Sequence, residues 1–190
     1  MKVLVACEFS GRVRDAFTRN GHYAMSADFL PSETPGNHYN GNVLDVIEDG
    51  WDMMIAHPPC TRLANSGVRW LDERNLWGEL EKAIEFFNIL LNANIPLVAI
   101  ENPIQHKYAR SGIRKYDQVI QPWMFGHSET KATCLWLKGL PKLKPTMVIK
   151  DHTDRLHRLP PGPERWKERS RTFQGIADAM ADQWTKEALP

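Results

Sequence analysis

Asp52-Met53-Met54-Ile55-Ala56-His57-Pro58-Pro59-Cys60 is the stretch on which the fold turns. Residues 52–56 are an apolar run of strand length, and the proline pair behind them cannot continue a hydrogen-bonded ladder. Residues 57–60 therefore open a loop at the strand's carboxyl end, and that loop runs to about Trp70. The same punctuation recurs downstream: Pro96-Leu97-Val98-Ala99-Ile100 is apolar and stops at Glu101-Asn102-Pro103. Between the two, Leu76, Leu80, Ala83, Ile84, Phe87, Leu90 and Leu91 recur at i, i+3, i+4 spacing, which predicts a helix over 73–92, closed by Asn94 and Pro96. Strand, helix, strand implies a parallel pair whose carboxyl ends face the same way.

Working outward, Val3 to Ala6 reads as a strand ending in Cys-Glu-Phe-Ser-Gly. Val13, Ala16 and Phe17 follow at helical spacing before Asn20-Gly21 stops the run. Residues 23–28 read as a second strand, followed by a polar loop marked by Pro31, Pro35, Gly36, Asn37 and Asn40-Gly41. Further strands are predicted over 132–137 and, more weakly, 146–149. A final helix over 175–188 carries Ile176, Ala179, Met180 and Trp184 along one side. The alternation predicts an α/β, mostly parallel sheet with helices on both faces, in which ligands bind beyond the carboxyl ends of the strands. Cys60 and Glu101 fall there.

The 190 residues fit a single domain, with 138–170 as a Pro-containing basic insertion. Hydrophobic residues at 42% and charged residues at 25% are ordinary for a globular protein, and no run approaches the roughly 20 apolar residues of a membrane span. The apolar start breaks at Glu8, too early for a secretory segment, so a cytoplasmic protein is expected. Cys7, Cys60 and Cys134 lack paired spacing, which predicts reduced thiols and neither disulfide nor metal. With 24 Lys+Arg against 23 Asp+Glu, net charge does not argue for nucleic-acid binding, and any basic surface must be local.

Most free cysteines are buried and inert, and Cys7 and Cys134 read that way within apolar strands. Cys60 differs: stiffened by two prolines at a crevice, it is held for attack, with Arg62, His57 and Lys131 as candidate groups to favour its thiolate. Glu101, an acid directly after a buried strand, needs a partner or a ligand. Arg62, Arg69 and Trp70 combine cations with a stacking surface suited to nucleic acid, or equally form an exposed loop whose tryptophan docks on the core. Arg155, Arg158, Arg165, Lys167, Arg169 and Arg171 are locally basic, matching either a phosphate contact or, with slight preference, a solvated surface.

At these residues the chain resembles the C5-cytosine DNA methyltransferases, whose motif order it follows from Phe9-Ser10-Gly11 through Pro58-Pro59-Cys60 and Glu101-Asn102-Pro103 to the Gly175 helix. The resemblance implies a Rossmann-like methyltransferase using S-adenosylmethionine. Phe9, Ser10, Gly11 and Pro58 would line the cofactor, Asp28 would bind its ribose, and Asn42 or Asp45 would approach the adenine. It implies that Cys60 adds to C6 of cytosine, that Glu101 contacts the N3 edge, and that Lys131, in Lys131-Ala132-Thr133, stands for the first cation of the family's Arg-x-Arg. Asn102 and Thr133 would lie beside the base.

The chain departs from the family pattern in lacking the later glycines after Gly11, in having Pro103 for valine, and in Gly175-Ile176-Ala177. It also has no room for a target-recognition domain. DNA, duplex or single-stranded, is the implied substrate, with recognition weak or borrowed from a protein partner or a second copy. A target base would leave the duplex stack, with residues 61–70 placed to assist. Two other readings stay open: a methyltransferase-like module that binds nucleic acid or a partner without turnover, and a pyrimidine-modifying enzyme acting on free nucleotide or RNA.

Overall fold

A computed structural model describes residues 1–187. Seven strands, β1 (Lys2–Ala6), β2 (Tyr23–Asp28), β3 (His38–Asn40), β4 (Met53–Ala56), β5 (Leu97–Pro103), β6 (Gln118–Ile120) and β7 (Thr133–Lys138), form one sheet in the order β3-β2-β1-β4-β5-β7-β6. Strands β1 to β5 run parallel, and β7 is antiparallel to both β5 and β6. The helices are α1 (Arg12–Arg19), α2 (Trp70–Glu73), α3 (Trp77–Leu91), α4 (Ala109–Gly112), α5 (Arg165–Ser170) and α6 (Gln174–Glu187). None of the described helices is long and apolar enough to cross a membrane.

The strand sequences are apolar on both sides because both faces are covered. Val3, Val5, Met53, Ile55 and Ala99 pack on one face with Val13 and Phe17 of α1 and Ile176, Met180 and Trp184 of α6. Leu4, Ala6, Met54, Ala56, Val98 and Ile100 point the other way, onto Leu80, Phe87 and Leu90 of α3. The alternation follows the two-residue period of a strand.

Five differences from the sequence reading are seen. The helix predicted over 73–92 begins only at Trp77, as α3: Asn75 takes a left-handed φ of 50°, which asparagine tolerates, and separates it from the short α2 that ends at Glu73. Glu101-Asn102-Pro103 belong to β5 and do not follow it, because β7 continues alongside and pairs Pro103 with Thr133. Residues 146–149 form no strand. Their amides at Met147 and Ile149 bond instead to the carbonyls of Met124 and Trp123, against the short turn Pro122–Met124. The short edge strands β3 and β6, three residues each, carry too little periodicity to be read from sequence. The final helix starts one residue early, at Gln174, and Ala188 lies outside the described residues. Gly175 is fixed by close approach: a Cβ there would collide with the Phe125 carbonyl.

Candidate active site

The chain reverses direction across the sheet at β1, with β2 on one side and β4 on the other, and a crevice opens at the carboxyl ends of β1, β4 and β5. Cys7 to Ser10 follow β1, His57 to Cys60 follow β4, and Glu101 to Pro103 end β5; all line one cleft with Lys131, Thr133 and the segment Arg169 to Thr172. The cleft thus gathers residues from five separate parts of the sequence.

Three hydrogen bonds hold its floor. Asn102 Nδ2 donates to the Pro58 carbonyl at 2.8 Å, tying the end of β5 to the proline loop, and the Cys60 carbonyl accepts from the amides of Leu63 and Ala64 at 3.0 and 2.9 Å. Cys60 is thereby fixed at the head of a turn while its side chain stays exposed. Glu101 is only 8% exposed. Its Oε2 lies 3.3 Å from His57 Nδ1 and accepts from Thr172 Oγ1 at 3.1 Å; its Oε1 is 4.0 Å from Lys131 Nζ. Burial raises the pKa of Glu101, but the hydrogen bond and charge of His57, with Lys131 and Thr172, outweigh it and hold the carboxyl at about 2. For His57, burial opposes the charged form while Glu101 and then Glu8 favour it, and the net direction is upward.

The thiol is not activated in the way the sequence suggested. Although Cys60 as a residue is exposed, its sulfur is surrounded closely enough by protein that desolvation raises its pKa, against the lowering effects of Lys131, its own backbone and Arg169. Of the three groups proposed to help it, only Lys131 does so. His57 is engaged by Glu101, and Arg62 pairs with Glu79 at 2.7 Å. Arg169 takes the place of Arg62. It is exposed, lines the cleft, and differs from Arg155, Arg158, Lys167 and Arg171, each of which is ion-paired. Most of the basic stretch is therefore self-neutralised surface.

Other nominated residues are distributed as follows. Phe9, Ser10, Pro58, Asn102, Lys131 and Thr133 line the cleft with Cys60 and Glu101, whereas Gly11, Asp28, Asn42, Asp45, Arg62, Arg69 and Trp70 do not. Gly11 adopts φ 73° and is covered by Thr34 and the Arg14 guanidinium, so it serves the turn into α1 and leaves no open cradle. The first amides of α1 are occupied too: the Glu8 carboxylate accepts from Val13 N at 2.8 Å and Arg14 N at 3.2 Å. Asp28 ends β2 with Oδ1 on the Leu30 amide. Asn42 caps the Val43–Asp45 turn, and Asp45 accepts from the Tyr39 hydroxyl at 3.0 Å. Arg69 and Arg74 stack on Trp70 at 4.2 and 4.1 Å from its ring centre. Cys7, expected in the core, reaches the cleft, but burial and then Asp28 push its pKa up to about 12.

Sequence reasoning missed Thr172 and named Arg169 only as one of a basic stretch. Thr172 and Arg169 reach the site from a segment that sequence marks only as basic. Among the described residues, Asn102 Oδ1 and His57 Nε2 are buried without a hydrogen-bond partner, and both belong to residues lining the cleft. Such atoms are rare in settled cores and mark a place for a ligand or water.

No family model matches this sequence, and no curated protein matches it. Among solved structures, it is similar to a prophage-encoded E. coli protein assigned as a DNA modification methyltransferase, with TM-score 0.51 and 16% identity over 84% of this chain and 55% of that one. It is also similar to the Entamoeba histolytica methyltransferase EhMeth, with TM-score 0.50 and 12% identity over 85% of this chain and 60% of that one. The chain therefore spans somewhat more than half the length of these structures. At such identities the likeness is one of fold: a Rossmann-like methyltransferase α/β sheet.

Proposed function

We propose that the chain methylates C5 of cytosine in DNA from S-adenosylmethionine, through a covalent bond between Cys60 and C6. The observation that carries the reading is the convergence of Cys60, Glu101 and Lys131, from three separate strand ends, on one cleft at the carboxyl edge of the sheet. A cytosine ring presents an amino donor and acceptors at N3 and O2. The cleft offers acceptors on Glu101 and Asn102 Oδ1 and donors on Lys131 and Arg169.

Asp28 and Phe29, which lie outside the lining of the cleft that holds Cys60, would hold the nucleoside end of the cofactor. Phe29, exposed, follows Asp28 directly in the chain, and among the described residues no hydrogen bond from the protein reaches the second oxygen of that carboxylate. When bound, S-adenosylmethionine supplies an electrophilic methyl group. The chain's residues orient the base, exclude water and supply the nucleophile. With Glu8 on the α1 amides, the amino-acid end of the cofactor must be held by other groups. That same feature favours the second reading, a binding module without turnover.

The test is transfer of label from S-adenosylmethionine to duplex DNA, single-stranded DNA, RNA and deoxycytidine nucleotides. Transfer to DNA that vanishes in Cys60→Ala supports the reading, transfer to RNA or nucleotide moves the substrate, and no transfer without cofactor binding supports the module.

A further inference from the structure

The reaction just proposed needs a proton at a particular place. When a thiolate adds to C6 of cytosine, the C5=C6 π pair moves to C4=C5 and the C4=N3 pair moves onto N3, which must then be protonated if the adduct is to be neutral. Glu101 is the acid nearest in role, yet Lys131 and Thr172 stabilise it as a carboxylate, and an ionised carboxylate has no proton to give.

We infer that His57 is a positioning residue that stores this proton: the imidazolium of His57 stands 3.3 Å from the Glu101 carboxylate, and its proton passes through Glu101 to the ring nitrogen as Cys60 adds. This rests on the reading of Cys60 as a nucleophile toward cytosine. The S–C6 bond and the N3–H bond form together, leaving carboxylate and neutral imidazole. Loss of the C5 proton and of the thiolate restores the ring and returns the N3 proton to the pair.

The surroundings of His57 support it. Its backbone amide bonds to the Ala6 carbonyl at 2.9 Å, and the cleft wall carries Glu101 from β5, Glu8 from the end of β1 and Lys131 from the lead-in to β7. Thr172 shares the Glu101 oxygen, and Cys60 lies on the same loop as His57. Burial and Lys131 oppose an imidazolium, and Arg169 lines the same cleft, but Glu101 and Glu8 outweigh burial and Lys131 and the net direction is upward. Its Nε2 has no partner among the described residues, so Glu101 alone fixes the ring and no second acceptor competes for the proton. A histidine kept only for structure would have both nitrogens engaged, as His38 does, with Nδ1 on Ser26 and Nε2 on the Leu30 carbonyl.

The test does not need the cofactor. Addition of Cys60 makes C5 basic enough to take a solvent proton, so reversal releases tritium from DNA carrying 5-tritiated cytosine. Wild type is expected to give a bell-shaped pH dependence, rising with Cys60 ionisation and falling as the pair loses its proton. His57→Asn keeps an N–H for Glu101 but stores no proton. It is expected to release tritium about 10- to 100-fold more slowly, as general-acid contributions run, with KM for DNA within about twofold and the alkaline limb gone. Independently of activity, the His57 ring should titrate by NMR above its ordinary value in wild type and lower in Glu101→Gln. Wild-type rate and an unchanged alkaline limb in His57→Asn, with Cys60→Ala inactive, overturn the inference alone. No release by wild type from any cytosine substrate overturns the parent reading and this one with it.

Discussion

Asn102 and Pro58 are 44 residues apart in sequence, and a single 2.8 Å hydrogen bond from the Asn102 amide to the Pro58 carbonyl locks the end of β5 to the loop that carries Cys60. Asn102 is 2% exposed, so neither group has water as an alternative partner. The bond sets the spacing between thiol and carboxylate on which the proposed chemistry depends.

Asn102→Ala is accordingly expected to cost about 1–3 kcal/mol, the range for a buried group left unsatisfied, and to lower Cys60-dependent turnover further than it lowers stability. Urea unfolding beside steady-state kinetics checks both. Full activity with lowered stability would show that the tie does not position the nucleophile.

Arg14 is 1% exposed, and its guanidinium bonds to Ser26, Ser32, Thr34 and the Pro35 carbonyl as well as to Asp15. Arg14→Ala strands those acceptors in the interior and is expected to destabilise by about 3–5 kcal/mol, as when one member of a buried pair is removed. Loss of protection in residues 32–36 by hydrogen exchange, beyond the global loss, locates the effect.

Glu101 is held at about 2 in the folded chain against an ordinary 4.5. The unfolded state therefore binds the proton first on acidification, and the stability contributed by the ionised carboxylate is present above about pH 4.5 and lost as pH falls through about 2. Glu101→Gln is expected to flatten that acid limb, measured as urea midpoint against pH. A limb of unchanged steepness would mean that other carboxylates govern it.

Burial raises the pKa of the Cys60 thiol while Lys131 and Arg169 oppose it. Alkylation by iodoacetamide should therefore show a midpoint above that of an ordinary cysteine, and Lys131→Met should move it higher still, with Arg169→Gln acting in the same direction. A downward shift in Lys131→Met would contradict the electrostatics of the cleft.

What was legible in the sequence follows from how each feature is encoded. The buried strands β1, β4, β5 and β7 contain continuous apolar runs with polar or proline residues behind them, so the loop that carries Cys60 and the strand end near Glu101 could be read directly, although β5 itself runs on to Pro103. The pairing of His57 with Glu101 could not: it depends on the adjacency of β4 and β5 and on side-chain direction. Arg169 and Thr172 were hidden for a similar reason, since an irregular stretch returns them to the cleft without any periodic signal. Nor did the sequence show that Thr34 and Arg14 fill the space around Gly11, or that Glu8 occupies the first amides of α1.

The measurement that bears most directly on the central claim is transfer of labelled methyl from S-adenosylmethionine to cytosine-containing DNA by wild type and by Cys60→Ala, both first shown to be folded. The account predicts transfer to C5 in wild type and its loss by several orders of magnitude in the variant, with stability changed little by so small a truncation at an exposed position. Transfer at the wild-type rate by Cys60→Ala would contradict it.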